Sequence, residues 1–157
     1  MIYEVDVVAV PEQAIVSLRE RGPLADLGRR IRRLRELVAQ AGLTPAGPPM
    51  ARFYEDAAAD PLLDYDVALP VKLRDDGSVP DEVEEARGEL IPLHHALQAV
   101  HTGPHDAMGD AWRAVQEARE ALGYTPSGPV TEVYVRSRGD AVEPAQFVTE
   151  VRLPYAR

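Results

Sequence analysis

The 157 residues predict an α+β fold in which one strand-helix-strand-strand module occurs twice. The two modules are expected to form one antiparallel sheet of about eight strands with two main helices packed on it. Three observations predict this. Turn-forming residues recur in the same order in both halves of the chain. Each half carries one stretch whose apolar residues return every three or four positions, the period of a helix buried on one side. Short β-favouring runs bounded by Gly and Pro surround each stretch.

The recurrence appears when the chain is shifted on itself by 81 positions. Pro11 meets Pro92, Gly22-Pro23 meets Gly103-Pro104, Gly28 meets Gly109, and Gly42 meets Gly123. Thr44-Pro45 meets Thr125-Pro126 and Gly47-Pro48 meets Gly128-Pro129, so GLTPAGP returns as GYTPSGP. Beyond Tyr134 the offset becomes 84, and Leu69-Pro70 meets Leu153-Pro154. The extra residues fall in 137–143, which reads as loop. Residues of this kind fix turns and helix ends, so the halves should share a backbone plan.

Residues 2–10 nearly alternate and read as an opening strand, with 87–91 as its counterpart. Residues 14–19 and 96–101 are short strands ended by Gly-Pro. In the first helix Leu24, Leu27, Ile31, Leu34 and Val38 form one apolar stripe. Met108, Trp112, Val115 and Leu122 do the same in the second, with Ala111 and Ala118 beside them. Gly42 and Gly123 stand where a helix C-cap requires them. A Thr-Pro-x-Gly-Pro loop then leads to strands at 51–55 and 132–136. An irregular connection, acidic in character, follows. The last strands are 65–69 and 148–153, each closed by Pro. Hairpins within a copy imply antiparallel pairing. The acidic segment 74–86 reads as the linker between copies.

Composition narrows the function. There is no Cys, which excludes disulfide scaffolds, thiolate metal sites and cysteine nucleophiles. No apolar run approaches membrane-spanning length, so no membrane partner is expected. MIYEVDVVAV lacks the basic region of a signal peptide, which makes the cytoplasm the expected location. The chain has 17 basic and 26 acidic side chains, a net charge of −9. That balance argues against nucleic acid as a direct partner and is compatible with a cationic ligand. The run RRIRRLR (29–35) does not change this. Ile31 and Leu34 belong to the apolar stripe, so the arginines are expected on a solvated helix face and not in a phosphate-binding patch. His94, His95, His101 and His105 fall in a strand and the turn after it, without metal-ligand spacing. A turn role is expected for His101, and neither metal nor cofactor. No phosphate-binding Gly-rich loop, dinucleotide fingerprint or GxSxG is present.

The copies differ at residues that could carry chemistry. Asp66 and Glu150 occupy the same place in the two closing strands. If Val151 and Leu153 face the helix, Glu150 looks to the opposite face. It is then either an exposed strand carboxylate or a charge partner for a ligand. Phe53 aligns with Tyr134, on a face that alternation shares with Glu132 and Arg136. Tyr134 reads either as an amphipathic contact or as a cross-strand packing residue. Trp112 aligns with Ile31 and belongs to the core by pattern, with stacking on a flat or cationic ligand as the other reading.

With these residues in view, the chain resembles the GyrI-like small-molecule-binding domain family, also called the AraC-type effector-binding domain. The resemblance runs over nearly the whole chain. It rests on RERGPLADLG and HTGPHDAMG, the GLTPAGP and GYTPSGP loops, the strand EVYV and the closing VTEVRLPY. It implies one domain of two pseudo-symmetric halves, 1–81 and 82–157, with a central groove between them. It implies binding of hydrophobic, often cationic small molecules, with Glu150, Tyr134, Phe53, Trp112 and Asp66 as ligand-binding residues. Some members are effector domains of transcription regulators, and this chain looks like the stand-alone form. Others open cyclopropane rings of DNA-alkylating natural products, which would make Glu150 and Tyr134 catalytic. Others bind DNA gyrase, which would imply a protein partner.

Overall fold

The computed structural model describes residues 3–54, 62–137, 140 and 142–157. Ten strands and two long helices lie among the described residues, so the α+β class holds. Eight strands match the sequence expectation, and the other two are only two residues long. In chain order the elements begin with β1 (Asp6–Val10), β2 (Gln13–Gly22), α1 (Leu27–Gln40), β3 (Met50–Phe53), β4 (Leu63–Val71), β5 (Glu82–Val83) and β6 (Ala86–Ile91). They continue with β7 (His94–Thr102), α2 (Gly109–Leu122), β8 (Thr125–Pro126), β9 (Val130–Arg136) and β10 (Val148–Ala156). A 3-10 turn precedes each helix. The expected strand residues Ile2 and Glu55, most of the acidic connection after Glu55, and parts of the loop 137–143 lie outside the described residues.

Two compact units form. One holds Pro11–Leu93, and the other holds Met1–Val10 with His94–Arg157. In the first unit the antiparallel strand order is β3-β4-β2-β6-β5. In the second it is β1-β7-β10-β9, with β8 pairing the end of β10. The opening strands are therefore exchanged. β1 pairs with β7, which comes after the first helix and five intervening strands, while β6 pairs back onto β2. Segment 74–86, expected as a linker, contains β5 and starts β6. Their two-residue turn is made by Glu84, at φ 54°, and Glu85.

Each helix covers one face of the strands in its own unit. α1 buries Leu34, Leu37 and Val38 against Val16, Leu18, Val67 and Leu69, all at most 5% exposed. α2 buries Ala111 and Val115 against Leu97, Ala99, Val151 and Leu153. Each large apolar side chain buried in this way contributes about 1.5–3 kcal/mol. Both helices end as the glycines foretold, with Gly42 at φ 71° and Gly123 at φ 70°. One expectation for α1 fails. Arg30 is 2% exposed and not on the solvated face. It lies between Leu27 and Leu34 on the inner stripe, donates to the Glu20 carbonyl at 2.8 Å, and its guanidinium covers the Tyr65 ring at 4.5 Å. Among the described residues no helix is long and apolar enough to cross a membrane.

Candidate functional site

In the unit that contains α2, three strands carry polar side chains onto the helix-covered face. The register places Val151 opposite Glu132, and Thr149 opposite both Tyr134 and His101. Because Val151 and Leu153 pack under α2, strand alternation brings Glu132, Tyr134, Thr149 and His101 to that same face. There Glu132 is 8% exposed. Its Oε2 accepts a hydrogen bond from Trp112 Nε1 at 2.7 Å, and its Oε1 accepts from the Tyr134 hydroxyl at 2.7 Å. Both donors are neutral.

Burial pushes the Glu132 carboxyl above the ordinary range, because the charged form has lost its water. The hydrogen bonds from Tyr134 and Trp112, and the nearby His101, pull the other way without reversing the direction. Aromatic rings adjoin this carboxylate through its two donors. Trp112 is partly exposed and leans on the core of α2. His105 stands 5.1 Å from Tyr134 and 4.9 Å from Phe147, between ring centroids. The His101 Nε2 lies 3.0 Å from the Pro104 carbonyl, which only accepts, so Nε2 carries the hydrogen. The His101 Nδ1 lies 2.7 Å from the Tyr3 hydroxyl. Gly103, at φ 126°, makes the turn that brings Pro104 back. The Thr149 hydroxyl is fully buried and has no hydrogen-bond partner among the described residues.

The sequence-predicted site residues divide between this cluster and other places. Trp112 and Tyr134 are in it. Glu150 is not, for it pairs with Val133 in register and faces the other side of the strands from Tyr134. Its side chain is 25% exposed and accepts from Arg152 at 2.9 Å, while Arg152 also donates to Gln98. Asp66 belongs to the other unit. It is 1% exposed, accepts two hydrogen bonds from Arg52 at 2.9 and 2.7 Å, and a third from the Tyr54 hydroxyl at 2.5 Å. Burial and Asp66 together hold Tyr54 well above the ordinary phenol range. Phe53 is 5% exposed and stacks on Tyr65, with centroids 5.7 Å apart.

Glu132 was missed as a site residue. One signal could have found it. In the repeat it aligns with Ala51, a residue in the middle of a strand whose neighbours are apolar or Arg. A carboxylate replacing a small core residue is a departure that core packing does not explain. Among the described residues no group of three or more His, Asp or Glu side chains is placed to hold a metal ion.

Comparison with known proteins identifies the lineage of this arrangement. The model of the GyrI-like small-molecule-binding domain matches residues 3–156. The chain belongs to the GyrI-like family. Solved structures agree with this at the level of the fold. The C-terminal domain of EcmrR is 20% identical with a TM-score of 0.88, covering 100% of this chain and 99% of that one. Against the EcmrR chain in its complex with DNA, this GyrI-like domain spans 58% of the length. A hydrolase from Listeria innocua is 13% identical with a TM-score of 0.69, covering 98% of this chain and 92% of that one. SAV2435, solved bound to tetraphenylphosphonium, is 14% identical with a TM-score of 0.58, covering 99% and 94%. No curated protein matches the sequence.

Proposed function

We propose that this GyrI-like domain binds a hydrophobic, often cationic small molecule against Glu132, with Trp112 and Tyr134 as aromatic walls. One observation carries the reading. Asp66 and Glu150 already face guanidinium groups, whereas both hydrogen-bond donors to Glu132 are neutral. A desolvated carboxylate with neutral donors attracts a delocalised cation and repels anions, while the rings supply contact without directional demands. A lipophilic phosphonium bound to SAV2435 is a ligand of this chemistry.

The test is titration with tetraphenylphosphonium, followed by the fluorescence of Trp112, the single tryptophan. Removing one charge of a desolvated pair costs about 2–4 kcal/mol, so Glu132→Gln should weaken binding roughly 30- to 1,000-fold. Glu150→Gln should leave the affinity within about threefold, since its charge is already met by Arg152. Equal affinity in wild type and Glu132→Gln would refute the charge role.

A second reading, hydrolytic opening of a cyclopropane ring, has one observation in its favour. Glu132 keeps its proton to higher pH than an ordinary glutamate and sits against the Tyr134 hydroxyl. In such a step the carboxyl proton would go to one ring carbon as the bond breaks. Water would bond to the other carbon and return a proton to the carboxylate. Incubation of a cyclopropane-bearing alkylating compound with the domain, followed by mass spectrometry, decides the matter. A gain of one water that disappears in Glu132→Gln supports it, and an unchanged mass sinks it.

A further inference from the structure

The arginine run of α1 lines a cleft that plays no part in binding at Glu132. The cleft lies within the Pro11–Leu93 unit and encloses about 310 Å³, near the lower end of small-ligand sites. Arg29, Arg30, Arg32 and Arg33 border it, with Leu18 and Glu20 from β2 and Glu85 from the β5–β6 turn.

These guanidinium groups are unevenly satisfied. Arg33 is held by Glu85 at 2.7 Å and reaches Glu36 at 3.5 Å. Arg29 pairs with Asp26 at 3.2 Å and remains 64% exposed. Arg32 is exposed and makes no hydrogen bond or ion pair among the described residues. Arg30 is 2% exposed, yet its Nε has no hydrogen-bond partner. The nearest carboxylate oxygen to that Nε, from Glu20, stands 3.7 Å away, beyond hydrogen-bond reach, on a side chain that is 53% exposed. Arg29 repels Arg32 and Arg33 across i,i+3 and i,i+4 spacings, a cost that a bound anion would remove. A buried cation with an unmet donor and two exposed cations beside it form an anion cradle.

We propose that this cleft binds a compact oxyanion, a phosphate or phosphate-monoester group. Glu20, Glu36 and Glu85 on the walls, and the chain's charge of −9, oppose an extended polyanion such as DNA but leave room for one small anion. The Leu18 side chain offers contact for a small organic substituent.

Calorimetric titration of the full chain at low ionic strength tests this, with inorganic phosphate, phenyl phosphate and a short DNA duplex as separate probes. Saturable binding of phosphate or phenyl phosphate is expected. Tighter binding of phenyl phosphate would identify a phosphorylated small molecule as the source, and equal binding would identify the free anion. Because Arg29 and Arg32 are exposed, R29Q/R32Q should fold, which a melting curve verifies. That variant should bind at least about tenfold more weakly, from the loss of two charge-assisted contacts. Glu85→Gln, which removes one negative charge from the wall of the cleft, should bind more tightly. Absence of saturation, unchanged affinity in R29Q/R32Q, no gain in Glu85→Gln, or tighter binding of DNA than of phosphate would each overturn the proposal.

Discussion

Asp66→Asn is expected to destabilise the protein strongly, and the size of the loss follows from its surroundings. The Asp66 carboxylate is 2% exposed and the Arg52 side chain 13% exposed, so both charges have left water. Arg52 donates twice to it, and Tyr54 donates once. The amide would keep the volume and one acceptor, but would leave the Arg52 charge without its main partner. Breaking a buried pair from one side costs about 3–5 kcal/mol. Glu89 stays at 3.1 Å from Arg52 on a half-exposed side chain, which places the expectation at the lower end, about 3 kcal/mol. For a domain of this size that corresponds to a fall in Tm of about 6–12 °C. Urea denaturation of wild type and Asp66→Asn measures the loss directly. The double variant Arg52→Met/Asp66→Leu should recover most of it, because an apolar pair of similar volume replaces both buried charges. A loss below about 1 kcal/mol, or a double variant no more stable than Asp66→Asn, would show that the pair is hydrated and that the reasoning from burial is wrong.

Three further outcomes are expected. Glu132 binds its proton more tightly folded than unfolded, so its contribution is fully present below about pH 4.5 and is lost as pH rises through the higher folded value; Glu132→Gln, which mimics the protonated form, should flatten the stability profile in that window. Thr149→Val should be neutral or slightly stabilising in urea, because it removes a fully buried hydroxyl that has no partner among the described residues; a loss above about 1 kcal/mol would reveal a bond to that hydroxyl. Gly88→Ala should cost about 1–3 kcal/mol, because its Cβ would meet the Pro80 backbone carbonyl, which cannot swing away; a thermal melt equal to wild type would contradict this.

The helices and their ends were legible because their signals are local. An apolar period and a left-handed glycine act within one turn of the chain, and Leu34, Val38, Gly42 and Gly123 behave as read. Arg30 was legible too, since its spacing from Leu27 and Leu34 puts it on the inner stripe, but a charged residue type concealed the geometry. The candidate site was harder. Trp112 and Tyr134 were named, yet the carboxylate that unites them was overlooked. Alternation grouped Glu132 with Tyr134 without saying which face the helix covers. That choice is made by the pairing of β9 with β10, which sets Glu132 opposite the buried Val151. The assignment of strand edges was equally hidden, because β1 and β6 look alike as segments and differ only in distant partners.

The exchange of opening strands has a consequence for synthesis. The Pro11–Leu93 unit is continuous and can close as soon as its last residue has been made. The other unit is discontinuous, and its first ten residues must wait until β7, encoded more than eighty residues later, appears beside them. Made before the rest of its unit, β1 spends that interval as an unpaired strand carrying the apolar side chains Val7, Val8 and Val10. Pairings of such long sequence separation are slow to form, so docking of β1 is the expected late event in folding. Damage to β1 would then be felt at β7 and in the unit that carries Glu132, and not in the arginine-rich unit that follows it in the chain.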